Sequence, residues 1–184
     1  MKRACVLLAD GCEEVEAITP VDYLRRAGIE TVTAGLGSRD IVGAHGIAMA
    51  ADCVLEDRDD EDYDCVVVPG GNRGAQALAA SPVAVAFIRR HAAEGALVAA
   101  ICAAPALVLG EACGLLGGKA FTCYPGMEGR VPDGLFSPER VVVDGRLVTA
   151  RSAGCAGEFA VAIVRALAGD RAADELSAAV LLKP

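Results

Sequence analysis

Four short runs, Ala4 to Ala9, Glu30 to Ala34, Cys65 to Val68 and Leu97 to Ile101, are rich in strand-forming apolar residues and recur with amphipathic stretches between them. A strand that is hydrophobic on both faces must be covered on both. Helices that carry the chain back to the same edge satisfy that need only around a parallel sheet. The segments Val15 to Arg26, Gly74 to Ala80, Val83 to Ala93 and Ala103 to Ala112 have the helical period such crossovers require. The chain is therefore predicted to be α/β, three layers deep, with right-handed crossovers and a site beyond the carboxyl ends of its strands.

Smaller signals sharpen this outline. Arg140 to Val143 and Arg146 to Thr149 flank Asp144-Gly145, a strong hairpin signal that adds an antiparallel pair to the sheet. Gly157 to Leu167 reads as a helix closed by Gly169, and Gly28 stops the first helix after Arg25 and Arg26. Pro20, inside that helical pattern, admits two readings: a kink, or a helix start after Thr19. The sequence holds no repeat, low-complexity tract or linker. With 184 residues, 54% of them hydrophobic, it supports one domain over residues 1–184.

Charge narrows the partners. Seventeen basic against twenty-five acidic residues leave a net charge of −8 and no Lys/Arg stripe, which argues against nucleic acid and against an anionic membrane surface. The apolar run after Met1-Lys2-Arg3 is too short for a signal peptide, and none approaches the ~18 residues of a membrane span. A small-molecule partner and a soluble, cytoplasmic protein are expected. The eight cysteines (5, 12, 53, 65, 102, 113, 123 and 155) form no C-x-x-C pair, and only His45 and His91 could join them as ligands. Reduced thiols and no metal site follow. His91, in FIRRHAAEG, is expected to be solvated or to cap its helix C-terminus.

One cysteine stands apart. Cys102 ends the run Ala96 to Ile101 and precedes Ala103, Ala104 and Pro105, so it falls on a strand-to-helix turn. The unpaired N–H groups and positive dipole end of that helix are expected to lower its thiol pKa. Ala100 and Ala104, two residues to either side, are the small residues a nucleophile elbow needs, and Pro105 suits a first helical turn. Gly70-Gly71-Asn72 follows another strand at the same edge, where the N–H groups of Gly71 and Ala103 could form an oxyanion hole. Asp10 to Glu16 brings further carboxylates there, most of them solvated at a helix start. Periodicity favours Glu16 as the one turned inward as a proton shuttle.

Glu16 in ADGCEEVEAITPVD, Gly70-Gly71-Asn72 in VVVPGGNRGAQAL, Cys102 in AAICAAPALV and Glu158-Phe159-Ala160 in EFAVAIVRAL together resemble the ThiJ/PfpI superfamily. The similarity runs from Arg3 to Lys183, and its nearest branch is that of the Parkinson-disease-linked protein deglycase and its bacterial relatives. The resemblance implies a flavodoxin-like sandwich, a homodimer, and an oxidation-prone Cys102 beside a protonated Glu16, with Gly71 and Ala103 supplying N–H groups. It also implies that Arg26 reaches across the dimer towards an anion and that Arg151 is structural. Two positions depart from the family. Tyr124 stands before Pro125 where the family often has a histidine, and His45 stands where it has a second arginine. Tyr124 can donate a hydrogen bond but is a poor base near neutral pH. Ala103 after Cys102 and the lack of any histidine beyond His91 set aside the protease-like and amidotransferase-like branches.

Two functions are compatible with these residues. The first is a cofactor-independent glyoxalase or deglycase acting on a small carbonyl substrate through Cys102 and Glu16, with Arg26, His45 and Tyr124 around the substrate or anion. The second is a redox sensor or protective chaperone in which Cys102 is oxidised to sulfinate.

Overall fold

A computed structural model describes residues 1–182; residues 183 and 184, where the expected domain and the resemblance end, lie outside the described residues. In chain order the elements are β1 (Arg3–Leu8), α1 (Glu14–Arg26), β2 (Glu30–Gly35), β3 (Asp40–Val42), β4 (Ala48–Ala50), β5 (Cys53–Val54), β6 (Cys65–Val68), α2 (Asn72–Ala80), α3 (Pro82–Ala93) and β7 (Leu97–Ile101). A π-helical segment, Pro105–Ala112, follows, and then β8 (Ala120–Phe121), β9 (Leu135–Phe136), β10 (Val141–Asp144), β11 (Leu147–Ala150), α4 (Ala156–Ala168) and α5 (Asp170–Ala179).

The main sheet has the order β10-β11-β7-β6-β1-β2-β5, and every pairing in it is parallel except β10 with β11. The period-2 alternation of side chains sorts the core onto its two sides. Cys5, Leu7, Val66, Val68, Val98 and Ala100 pack against Leu78, Phe87, Ile88 and Leu107 of α2, α3 and the π-helical segment. Val6, Leu8, Val67, Ala99 and Ile101 pack against Ala17, Leu24, Phe159, Ile163 and Val164 of α1 and α4. This is the covered parallel sheet that the apolar strands required, in the flavodoxin-like form that the resemblance implied.

Local chemistry decided the boundaries. The Ser81 hydroxyl accepts the Ala84 N–H at the start of α3, with Pro82 in the first turn. Pro20 lies inside α1, so the Glu16 carbonyl four residues earlier loses its intrahelical donor. The hairpin turn is shifted by one residue from the sequence reading. Asp144 pairs with Leu147, leaving Gly145-Arg146 as the loop, because only Gly145 adopts the positive φ (61°) that its first position needs. The segment after Cys102 winds more widely than an α-helix, with the Cys113 N–H donating to the Val108 carbonyl five residues back. The short pairs β3–β4 and β8–β9 were not anticipated, since two or three residues carry no measurable period.

His91 corrects an expectation. It is fully buried rather than solvated or capping. Its Nε2 accepts the Tyr63 N–H at 3.1 Å and its Nδ1 donates to the Phe87 carbonyl at 2.8 Å, while its ring packs 4.2 Å from that of Phe87. Burial lowers its pKa from the ordinary value. Among the described residues no helix is long and apolar enough to cross a membrane.

Candidate active site

The carboxyl ends of β1, β6 and β7 meet at one edge, and the loops beyond them assemble the site. Cys102 follows β7 with φ +66°, a left-handed conformation that a side chain adopts only at a cost. Its backbone is held at both ends: its N–H donates to Ala150 and its carbonyl accepts the Tyr124 N–H at 2.8 Å. The strained turn lifts the thiol off the sheet, and Cys102 alone of the eight cysteines is not buried. The N–H groups of Gly71 and Ala103 both point at its sulfur.

Glu16, in the first turn of α1, is fully buried. Its Oε2 accepts the Gly70 N–H at 2.9 Å, and the carboxyl faces the Cys102 thiol. Its Oε1 has no hydrogen-bond partner among the described residues. Burial first, and the charge of Glu13 after it, push this carboxyl up to about 7, against the Cys102 and Gly70 hydrogen bonds. Near neutral pH it can both give and take a proton.

The thiol overturns one expectation. Its helix mouth does not lower it at rest: burial and then the Glu16 charge push it up to about 12, while the Gly71 and Ala103 N–H groups pull the other way. Half an N-terminal dipole is too weak to overcome desolvation beside a carboxylate.

Gly70 is the residue that the sequence reading left out of the site. A Cβ there would lie 2.5 Å from Glu16 Oε2, 2.6 Å from Cys102 Cβ and 2.8 Å from the Ile101 carbonyl. Only glycine lets both side chains meet over that peptide. The signal was present in Gly70-Gly71, but a pair of glycines after a strand also makes an ordinary turn. Gly71, at φ +80°, closes against Gly11 and Glu13 and so aims its N–H at the sulfur.

The remaining candidates are spread around this centre. The backbone of Tyr124 is bonded to Cys102 while its side chain is half exposed. His45, on the β3–β4 turn, directs Nδ1 at Glu14 Oε2 (3.0 Å) and Glu13 Oε2 (3.4 Å). Ligand atoms of these three residues lie within 4.8 Å of one another. Glu14, however, already accepts the N–H groups of His45 and Ile47 as well as the ring, so the cluster reads as an ion-paired clip. Arg26 is bound by Asp22 at 2.6 Å and, among the described residues, makes no ion pair or hydrogen bond with the Cys102 turn. Arg151 donates to the Pro138 carbonyl, as a structural role requires.

Comparison with known proteins relates the whole chain to one family. The model of the DJ-1/PfpI family matches residues 2–166. The chain is 38% identical to the Parkinson disease protein 7 homolog of Danio rerio over 187 residues, covering 99% of this chain and 98% of that protein. It is 40% identical to Protein DJ-1 homolog B of Arabidopsis thaliana over 178 residues, 96% of this chain but only 40% of that longer protein. The glutathione-independent glyoxalase DJR-1.2 of Caenorhabditis elegans is 31% identical over 178 residues, 95% of this chain and 94% of that protein. Among solved structures, a DJ-1 superfamily protein from Salmonella typhimurium superposes with a TM-score of 0.95 at 39% identity, each chain fully covered. Oxidized Toxoplasma gondii DJ-1 gives 0.95 at 34%, with 98% of each chain covered.

Proposed function

The chain belongs to the DJ-1/PfpI family, and on that premise we propose that it is a cysteine-dependent, cofactor-independent enzyme acting on reactive dicarbonyls or their adducts. The observation that carries this reading is the buried carboxyl of Glu16, poised near neutrality and facing the Cys102 thiol. The relative named as a glutathione-independent glyoxalase supports the same class of chemistry.

With a 2-oxoaldehyde, the Cys102 sulfur adds to the aldehyde carbon as its proton moves to the Glu16 carboxylate. The carbonyl electrons become an oxyanion, held by the Gly71 and Ala103 N–H groups. Glu16 hands the thiol proton to that oxyanion and, again a carboxylate, carries the aldehyde hydrogen, as a proton, from C1 to C2 through an enediol, while the proton on the C1 oxygen passes to the C2 oxygen. C1 is thereby oxidised to a thioester and C2 reduced to an alcohol, so no external oxidant or cofactor is needed. Water cleaves the C–S bond and releases a 2-hydroxy acid and the free thiol. Tyr124 donates a hydrogen bond at the mouth, with His45 and the Arg26 of a second copy completing the anion side.

A homodimer is part of this proposal. Val15 and Ile18 of α1 and Val42 and Ile47 around the β3–β4 turn are large apolar residues about half exposed, a surface suited to a second copy. In steady-state assays of methylglyoxal consumption, Cys102→Ser is expected to abolish turnover and Glu16→Gln to reduce it about 100-fold. Normal consumption by either variant would sink the mechanism.

The exposure of Cys102 among seven buried thiols favours a second reading, in which it is oxidised to a sulfinate bonded to protonated Glu16. Mass spectrometry after mild peroxide should find oxidation concentrated at Cys102. Even oxidation across all eight cysteines would exclude that role.

A further inference from the structure

The peptide of Gly70 joins two acids of the first loop. Its N–H donates to Glu16 Oε2 at 2.9 Å, and its carbonyl accepts the Glu13 N–H at 3.1 Å. Glu13 in turn has its carboxylate 3.4 Å from the Nδ1 of His45. His45 is itself fixed: its N–H donates to Glu14 Oε1 at 2.8 Å and its ring lies 3.0 Å from Glu14 Oε2. A titratable cation is thus held at one end of a short path whose other end is the buried carboxyl beside Cys102.

We propose that His45 is a positioning residue that makes the proton affinity of Glu16 depend on pH through Glu13. This rests on Glu16 being the acid–base partner of Cys102. Protonated, His45 neutralises Glu13 and lets Glu16 ionise more readily; neutral, it exposes the Glu13 charge, and Glu16 holds its proton harder. Glu14 and Glu13 raise the pKa of His45 from its ordinary value of 6.5, and burial raises that of Glu16 to about 7. The sign follows directly. As pH rises and Glu16 would lose its proton, loss of the His45 charge strengthens its hold, so the carboxyl titrates over a stretched interval. A permanent cation at this position, such as arginine, would give a sharper and more acidic transition.

Of the other charges nearby, Arg73 of α2, whose Cβ faces Gly11, is a permanent cation common to every variant, and the rest are engaged elsewhere. Asp10 accepts the Val42 N–H, Arg25 is bound by Asp52 and Arg26 by Asp22, and on α4, which packs on α1, Glu158 is bound by Arg140. Cys102 faces Glu16 directly and stays protonated through this range.

The test reads the carboxyl itself, so it does not depend on turnover. The carboxyl carbon of Glu16 would be followed by NMR against pH in wild type, His45→Arg and His45→Gln, beside the pH profile of Cys102 alkylation by iodoacetamide. The ring of His45 is exposed, so both substitutions leave the core untouched. The Glu16 midpoint is expected to lie roughly half a unit to one unit lower in H45R than in H45Q. Wild type should follow H45R on the acid side and H45Q on the alkaline side. In a Glu13→Gln background the difference between the two should vanish. Superposed curves for all three proteins, or a difference that survives E13Q, would overturn the proposal. A protein that consumes no dicarbonyl yet titrates as described would refute the enzymatic reading and leave the coupling standing.

Discussion

At the scale of single residues, the site is governed by what a peptide leaves room for. Gly70→Ala forces a methyl between Glu16, Cys102 and the Ile101 carbonyl, none of which can withdraw without breaking a strand or a buried hydrogen bond. The substitution is expected to destabilise the protein by about 1–3 kcal/mol. It should also slow Cys102 alkylation at least ~10-fold, because the two side chains can no longer meet. Unchanged melting and unchanged alkylation would show that this contact is dispensable. Cys102 and Glu16 were legible in the chain because an apolar strand ending at a cysteine, and an acid spaced into an apolar helix face, are local patterns. The resting proton affinity of the thiol was not legible, since desolvation by distant elements outweighs the adjacent helix end.

Elements show the same division. The helices of strong period were readable to within a residue or two, and their ends were set by Ser81, Pro82 and Gly169. The widened turns of the segment after Cys102 depend on packing that no periodicity reports. His91 illustrates the point in α3: flanked by charges in sequence, it turns instead to the Tyr63 N–H and the Phe87 carbonyl. Because its folded pKa is lowered, the neutral form stabilises the fold above its ordinary value of 6.5, and that contribution is lost as pH falls through the folded midpoint. Thermal melts from pH 7 to pH 4.5 should therefore show an acid-side loss of stability in wild type that is smaller in His91→Gln, whose amide keeps both hydrogen bonds without titrating. Parallel pH profiles would remove His91 from the account.

For the whole molecule, the proposed second copy would cover the half-exposed Val15, Ile18, Val42 and Ile47. Light scattering should give the mass of two chains, and Ile18→Asp with Ile47→Asp should give one. A single-chain mass for the wild type would end the dimer proposal and leave Arg26 with Asp22 alone. The sequence by itself determined the layered α/β architecture, because hydrophobic strands must be covered and short crossovers permit few ways of covering them. It also determined at which edge the candidate site assembles, since the Gly-Gly turn and the cysteine both end strands. Only the tertiary structure decided how those loops touch: that the Gly70 peptide holds Glu16, that His45 faces Glu13, and that His91 is buried. Such contacts join residues tens of positions apart, where neither periodicity nor local propensity carries information.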